Sequence, residues 1–465
     1  MISVLNHLLP LNGNKVIWLF PLIIGMVSCK SSQKSVSDQL IPIAPTLTPE
    51  LSIDTISWIV KERKSINFTP YPSDLEIAKI KSKLNNSKYL DEYSISLLLP
   101  FMSSRISSDD MTFNNRLTAL SFHFYNGFKL GIQKHKGISL HVFDTEGNSE
   151  IVESKLKSDP KILNSNLIVG PYRTVSINKV NEFANLFNIP FVSAFSAGAD
   201  LEGQNNFYIK INPGLDIHFK KQLEHALKTF SKEELLFVGF EGTPEKNATN
   251  LFADIFNRDF QDTVQPFFIS EDDALKSDAN IPVDTINLHQ MAVFVPSWSN
   301  QTFISSLLRN LSLLQSDSFS IRVYGMPQWL DFDFIDYEYF EKLNVHISSV
   351  SFIDRNDQKV KDFQKKYFDE FGIIPEKDAF LAFDLANYFG NILKNYGNVF
   401  QYSLPYLPQE GIQINCQIKP VFTVDMEGNS LINRWENQDI HILKFINYNF
   451  FKDYLLDEGG KTEKN

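Results

Sequence analysis

Residues 167–195 read LIVGPYRTVSINKVNEFANLFNIPFVSAF and hold two short apolar runs separated by an amphipathic segment. The first run stops at Gly170 and Pro171, and the second follows Asn-Ile-Pro. The segment between them repeats apolar residues at helical spacing. These positions are Val175, Val180, Phe183, Ala184 and Phe187. The order predicts a β-loop-α-β unit.

Apolar strands that alternate with amphipathic helices are typical of a parallel sheet covered on both faces, and such sheets bind ligands at the carboxyl ends of their strands. We therefore expect two loops to form a binding edge. These loops carry Tyr172, Arg173 and Thr174 after the first strand, and Ser193 and Ser196 after the second. A helix that begins near Thr174 would present its positive end there, which suits an anionic group.

Length and charge limit the function. The chain has 465 residues, which is enough for two or three domains with ample core. Its formal net charge is -11 and it contains no basic stripe, so we expect no nucleic-acid partner.

The N-terminus predicts export. Lys15 precedes an apolar run, Val16 to Val27, that is shorter than the roughly 20 residues needed to span a bilayer but suits a signal-peptide core. The run ends in Met-Val-Ser before Cys29, which resembles a lipobox. The resemblance implies a lipoprotein signal peptide over 1–28 and a diacylated Cys29. An uncleaved anchor with a buried or reactive Cys29 is the alternative.

The segment 29–92 reads as lipid anchor, linker and small prelude. Residues 30–50 are rich in Ser, Pro and Thr and favour a tether. The other cysteine, Cys416, is interpreted as a small buried hydrophobe.

Closing motifs complete a family resemblance. Phe363, Tyr367, Phe371-Gly372 and Pro375 precede AFLAFDLA, and an earlier helix carries Gly127-Phe-Lys-Leu-Gly131. With the Gly-Pro and Ile-Pro strands described above, these resemble the type I periplasmic-binding-protein family, of the branched-chain amino-acid receptor type. The resemblance implies an α/β fold of two doubly wound parallel-sheet lobes joined by crossover strands near 207–213 and 344–352.

The implied division of the chain is discontinuous. The first lobe covers 93–206 and 354–399, the second covers 207–353 and 400–451, and 452–465 is a polar tail. A hairpin with a glycine turn is expected from 421–424 to 440–445. Asp384, in the closing motif, is interpreted as a helix residue that bonds a nearby loop.

The chain lacks sequence patterns for catalysis. Nucleophile-elbow, phosphate-loop, dinucleotide-binding and zinc-protease motifs are absent, so we expect no enzyme, cofactor or metal. His218 and His225 lie seven apart on one helix face, for which packing or solvation is favoured over a metal site.

In the resembled family, first-lobe loops hold an amino-acid carboxylate, and a second-lobe acid and tyrosine hold the ammonium. Mapped by position, the resemblance implies the first-lobe ligand-binding candidates Tyr172, Arg173, Thr174, Ser193, Ala194 and Ser196. The matching second-lobe candidates are Glu241, Thr243, Trp298 and Tyr324. The family's usual loop after the first second-lobe strand is replaced here by FEGTP, which weakens the expectation of amino-acid recognition.

Two functions remain open. The first is a lipid-anchored, periplasm-facing receptor that captures a small ligand for an ABC permease. The second is a regulatory lipoprotein, resembling outer-membrane activators of penicillin-binding proteins, that activates a peptidoglycan synthase. Attachment to the outer membrane through Cys29 is favoured over the inner membrane.

Overall fold

A computed structural model describes residues 87–105, 115–198, 205–242, 245–276, 281–282, 288–332, 335–424, 428 and 430–453. All of them belong to one unit, Ile56–Asn465. The predicted signal peptide, Cys29, the linker, most of the prelude and nearly all of the polar tail lie outside the described residues.

Strands and helices alternate along most of the chain, as the apolar pattern predicts. The strands are β1 (Tyr93–Leu99), β2 (Ile138–Asp144), β3 (Leu167–Val169), β4 (Phe191–Ser193), β5 (Tyr208–Lys210), β6 (Leu235–Phe240), β7 (Phe267–Ile269), β8 (Gln290–Phe294), β9 (Ser320–Gly325), β10 (His346–Ser349), β11 (Ile418–Val424), β12 (Ser430–Asn437), β13 (His441–Ile446) and β14 (Asn449–Lys452).

The helices are α1 (Arg116–Ile132), α2 (Ser149–Ser158), α3 (Pro160–Leu163), α4 (Thr174–Phe187), α5 (Leu215–Ala226), α6 (Glu245–Phe260), α7 (Glu271–Leu275), α8 (Gln301–Leu314), α9 (Tyr337–Lys342), α10 (Gln358–Phe371) and α11 (Lys377–Tyr396). Short 3-10 helices cover Ser103–Arg105, Lys232–Glu234, Pro327–Asp331 and Gly397–Tyr406. None of the described helices combines the length and apolar character that crossing a membrane requires.

The first lobe is built on a seven-stranded sheet in the order β11-β12-β5-β4-β3-β1-β2. All neighbouring pairs are parallel except β11 with β12. The order runs outward from β1 in both directions, as in a doubly wound sheet. Apolar side chains of the sheet pack against α1 and α11 on one face and against α2 and α4 on the other. Cys416 is buried in this core, as predicted.

The second lobe has its own seven-stranded sheet, ordered β14-β13-β10-β9-β8-β6-β7. The strands from β6 to β10 are parallel, whereas β13 and β14 are antiparallel to their neighbours. Two separate sheets with flanking helices confirm the predicted two-lobed α/β fold.

Within the described residues, the chain passes between the lobes in three places. The crossing segments are 211–214, after β5, then 350–357, after β10, and 438–440, between β12 and β13. The first two follow the strands that the sequence predicts as crossovers. The third differs from the prediction, which assigns all of 400–451 to the second lobe and pairs 421–424 with 440–445.

The hairpin formed by β11 and β12 belongs to the first lobe. Trp435 of β12 pairs with Ile209 of β5, and its indole is fully buried in the first-lobe core. Burial of this large apolar side chain gives a physical reason for the placement, since a tryptophan buries up to about 250 Å².

Helices α1 and α11 approach closely in the first lobe. A Cβ added at Gly127 would collide with the backbone of Ala379, and one at Gly131 would meet Phe383 and Ala386. The glycines of the predicted motif therefore permit the contact between the two helices. Helix α10 packs on the same pair through Phe363.

Candidate functional site

The loop after β3 begins with a conformation that requires glycine. Gly170 has a φ of 100°, and a Cβ there would collide with the carbonyl oxygen of Leu98. The Gly170–Pro171 peptide is cis. Helix α4 then begins at Thr174, where the sequence predicts it, and Tyr172 lies between the turn and the helix.

The loop after β4 meets the loop after β3. The rings of Tyr172 and Phe195 lie 5.3 Å apart between centroids. The hydroxyls of Thr174 and Ser196 are hydrogen-bonded at 3.2 Å. The structure thus brings the two predicted loops together at the carboxyl edge of the first sheet.

Two further predicted residues, Ser193 and Arg173, take no part in these two contacts between the loops. The Ser193 hydroxyl is fully buried at the end of β4 and has no hydrogen-bond partner among the described residues. Arg173 is exposed and extends toward the turn after β2, since a Cβ added at Gly147 would lie 3.3 Å from its Nε.

A cavity of about 450 Å³ opens beside these loops, next to two of the crossing segments. Its lining includes predicted residues Tyr172 and Ala194. It also includes Ile211, Asn212, Val350 and Ser351 from the crossing segments, and Phe195, Gln413, Ile414, Arg116, Ala119, Leu120, Glu376, Lys377, Asp378 and Leu381.

Charged side chains of both signs line the cavity, together with apolar side chains. Arg116 begins α1, and Glu376, Lys377 and Asp378 stand at the start of α11. Burial raises the pKa of Asp378 to about 6, while the cations of Lys377 and Arg116 lower it. The cavity therefore offers two cations and two carboxyl groups to a small ligand.

The lobes touch at this rim. Lys377 Nζ of the first lobe lies 3.6 Å from the Asp331 carboxylate of the second lobe. Both side chains are exposed, so the pair contributes at most about 1 kcal/mol to stability. A contact of this strength can break and form as the lobes move.

Asp384 supports the cavity wall from inside the first lobe. Its carboxylate accepts hydrogen bonds from the backbone N–H groups of Ile412, Gln413 and Ile414, at 2.9, 2.8 and 3.0 Å. Burial raises the pKa of Asp384 to about 6, and the three N–H groups lower it. The interpretation of Asp384 as a structural residue agrees with these contacts.

A buried charge cluster ties the first crossing segment to β12. Glu436 accepts a hydrogen bond from the N–H of Gly214 at 2.9 Å. Lys210 lies 3.3 Å from the same carboxylate oxygen, and Arg434 lies 2.8 Å from the other. The first crossing segment is therefore anchored to β12, the strand that leads into the third crossing segment.

Solved structures share this architecture. One is a protein from Rhodospirillum rubrum assigned to branched-chain amino acid ABC transport, with a TM-score of 0.54 and 11% identity over 78% of this chain and 100% of that one. Full-length LpoA from Haemophilus influenzae has a TM-score of 0.51 and 13% identity over 81% of this chain and 61% of that one. No protein-family model and no curated protein matches the sequence.

The chain has the type I periplasmic-binding fold. Within it, the described second-lobe candidates Glu241, Trp298 and Tyr324 are not among the residues that line the cavity. Glu241 is exposed, and Thr243 lies outside the described residues. Trp298 packs partly buried on the second-lobe core, and its backbone N–H donates to Glu245 at 2.6 Å. Tyr324 is fully buried in that core.

Sequence reasoning missed the charged rim of this periplasmic-binding fold. Arg116 and Asp378 lie in the first turns of two helices that are distant in sequence and adjacent in space. A signal for the contact between the helices was available in the glycine and alanine pattern of α1 and α11, because Gly127 meets Ala379. No sequence signal placed Arg116 and Asp378 in one cavity.

Proposed function

We propose that the chain is a lipid-anchored solute-binding protein of the cell envelope, which captures a small charged ligand between its lobes as the substrate-binding component of an ABC transporter. The observation that carries the proposal is the cavity of about 450 Å³ at the lobe crossings. Such a volume suits a ligand of amino-acid size.

Hinge closure is supported by how the lobes are connected. Each lobe has its own sheet and core, and short crossing segments join them beside the cavity. Movement of such lobes about a few segment residues is a common way to enclose a ligand. The exposed pair of Lys377 and Asp331 would tighten on closure.

Chemistry at the rim suggests the ligand class. Arg116 and Lys377 suit an acidic group, whereas Glu376 and Asp378 suit an amino group. The side chains of Leu120 and Leu381 also line the cavity and suit a short hydrocarbon part of the ligand. We infer an amino-acid-like ligand with an acidic group.

A ligand panel tests the proposal. Amino acids, their amides, their decarboxylated amines and small carboxylic acids are titrated into the purified chain by calorimetry. We expect a compound with both charges to bind, and Arg116→Gln to weaken it about tenfold through loss of a charged hydrogen bond. Lys365→Gln, on the exposed face of α10, is the matched control. If no compound binds at millimolar concentration, the receptor function is wrong.

Binding should depend on pH through Asp378. Its pKa is raised to about 6, so the carboxylate becomes neutral as the pH falls from 7.5 to 5. A ligand amino group then loses its counter-charge, and the dissociation constant rises. In Asp378→Asn, affinity should be low at pH 7.5 and nearly constant down to pH 5. An unchanged pH profile in this variant would contradict the assignment.

His123 could also titrate near the rim, because its Nε2 lies 3.7 Å from Glu376. Burial lowers its pKa below the usual value, and His123 is present in both the wild type and Asp378→Asn. The difference between the wild-type and Asp378→Asn profiles therefore isolates Asp378.

The anchor is tested at Cys29, which lies outside the described residues. Cys29→Ser should release the protein from the membrane fraction of cells and remove the mass of the acyl chains, because two or more chains are needed for stable attachment. Ser31→Ala, two residues away, should stay bound. Unchanged membrane association and unchanged mass of Cys29→Ser would rule out lipidation there.

One observation favours a second candidate function, regulation of a peptidoglycan synthase. Among the described second-lobe candidates, Glu241, Trp298 and Tyr324 do not line the cavity, so the lobe contributes little to ligand recognition. The purified chain would then stimulate glycan polymerisation by the peptidoglycan synthase of the same bacterium. Stimulation without any ligand binding would replace the receptor function by this one.

A further inference from the structure

A polar cluster lies inside the second lobe, away from the cavity between the lobes. It involves one face of α5, the strand β10 and the residue that follows β14. His225 and His346 are buried, and Asp453 is largely buried. Their three ligand atoms all lie within 4.8 Å of one another.

The two histidines point the same nitrogen at one carboxylate oxygen. His346 Nε2 lies 2.8 Å from Asp453 Oδ2, and His225 Nε2 lies 3.2 Å from it. The two Nε2 atoms and the Asp453 oxygen are thus gathered in one place. Hydrophobic packing of the lobe does not require this arrangement.

The outer nitrogens of both rings are held by hydrogen bonds. His346 Nδ1 lies 2.7 Å from the carbonyl oxygen of Asn344, which can only accept. Nδ1 therefore carries the hydrogen, and in the neutral ring the Nε2 lone pair faces Asp453. His225 Nδ1 is hydrogen-bonded to the Tyr324 hydroxyl at 2.8 Å. Histidines that ligate metals are oriented in the same way, through their other nitrogen.

We propose that His225, His346 and Asp453 form a binding site for a divalent transition metal, with zinc as the best fit. Two imidazole nitrogens and one carboxylate are a common ligand set for zinc. Ligand atoms about 2.0 Å from a tetrahedral ion are separated by roughly 3.3 Å, close to the observed spacings. Without a metal, the Nε2 lone pair of neutral His346 faces the negatively charged carboxylate of Asp453, and the two repel each other. A metal cation bound between them attracts both groups.

The fourth ligand position has access to solvent. A cavity of about 310 Å³ borders His225 and Asp453 and reaches His441, whose Nε2 is buried without a hydrogen-bond partner among the described residues. Lys228 and Lys452 also line this cavity. The carboxylates of Glu224 and Asp439 line it as well, so the cavity carries charges of both signs, and a water molecule suits the fourth position.

Zinc would connect three distant parts of the second lobe. Helix α5 follows the first crossing segment, β10 precedes the second, and Asp453 directly follows the edge strand β14. The structure thus assigns the metal a stabilising role that is independent of ligand binding between the lobes.

Zinc and cobalt titrations of the purified, chelator-treated full chain test the site. We expect one equivalent of Zn²⁺ by calorimetry and a tetrahedral Co²⁺ absorption spectrum. Asp453→Asn and His225→Gln should each weaken Zn²⁺ binding at least about tenfold and abolish that spectrum. Asp317→Asn and His289→Gln, the same substitutions at exposed positions, should change neither.

Circular dichroism without metal shows whether each variant is folded. If His225→Gln is unfolded, Asp453→Asn carries the test, because its side chain keeps its shape. Failure of the wild-type chain to bind Zn²⁺, or equal binding by all variants, would overturn the site. Neither result bears on the ligand titrations, so this proposal and the proposed function fail separately.

Discussion

Asp384→Ala is expected to lower the free energy of unfolding by about 3 to 5 kcal/mol, because it leaves three buried backbone N–H groups without their acceptor. These N–H groups belong to Ile412, Gln413 and Ile414. In the unfolded chain these N–H groups bind water in both the wild type and the variant. The substitution therefore raises the free energy of the folded state only. Urea denaturation followed by circular dichroism measures it.

Two control variants, Asp384→Asn and Asp369→Ala, show whether the loss of stability comes from the Asp384 carboxylate. The asparagine variant keeps the side-chain shape and one acceptor oxygen, so its loss should be smaller than that of the alanine variant. Asp369 is exposed on α10, and its replacement should change stability by less than about 0.5 kcal/mol. Equal stability of Asp384→Ala and Asp369→Ala would show that the loop 412–414 does not depend on the carboxylate.

Gly127→Leu should destabilise the first lobe by about 2 to 4 kcal/mol, because the new side chain must push α1 away from α11. Even Gly127→Ala should be destabilising, although alanine normally favours a helix over glycine by about 1 kcal/mol. The reason is the collision between a Cβ at this position and the Ala379 backbone. Thermal and urea unfolding of both variants measure the graded effect.

Asn178→Leu, on the exposed face of α4, adds the same side chain without an opposing helix. It should leave the stability nearly unchanged. A Gly127→Ala variant more stable than the wild type would mean that the two helices can separate without cost.

The first-lobe core could be predicted from the sequence because its elements are locally specified. Apolar runs mark the end of β1, at Leu97–Leu99, and the whole of β3. Gly170 with Pro171 ends a strand where the backbone requires a positive φ. Gly372 ends α10 in the left-handed conformation. Each of these signals lies within a few residues of the feature it determines.

The hairpin of β11 and β12 could not be assigned to the first lobe from the sequence, because its partner strand β5 is distant in the chain. Nothing near Trp435 indicates that it pairs with Ile209 rather than continuing into the second sheet. An antiparallel hairpin can attach to the edge of either sheet. The choice depends on which core buries its large side chains.

The candidate site was predicted in part. Tyr172 and Ala194 line the cavity, because loops after adjacent parallel strands must converge. Arg116 and Asp378 were not predicted, since their proximity arises from helix packing. His225, His346 and Asp453 were also beyond sequence patterns, because metal motifs are recognised by short spacings and these residues are far apart.

The described chain crosses between the lobes three times, and this determines when the protein can fold. Both sheets receive strands from the segment 418–452, so neither lobe is complete until that segment has been synthesised. Contacts such as Ile209 with Trp435 have a high sequence separation, which slows folding. The protein should therefore fold after synthesis as one cooperative body. Cutting the gene at a lobe boundary should produce two fragments that aggregate alone and recover structure only when mixed.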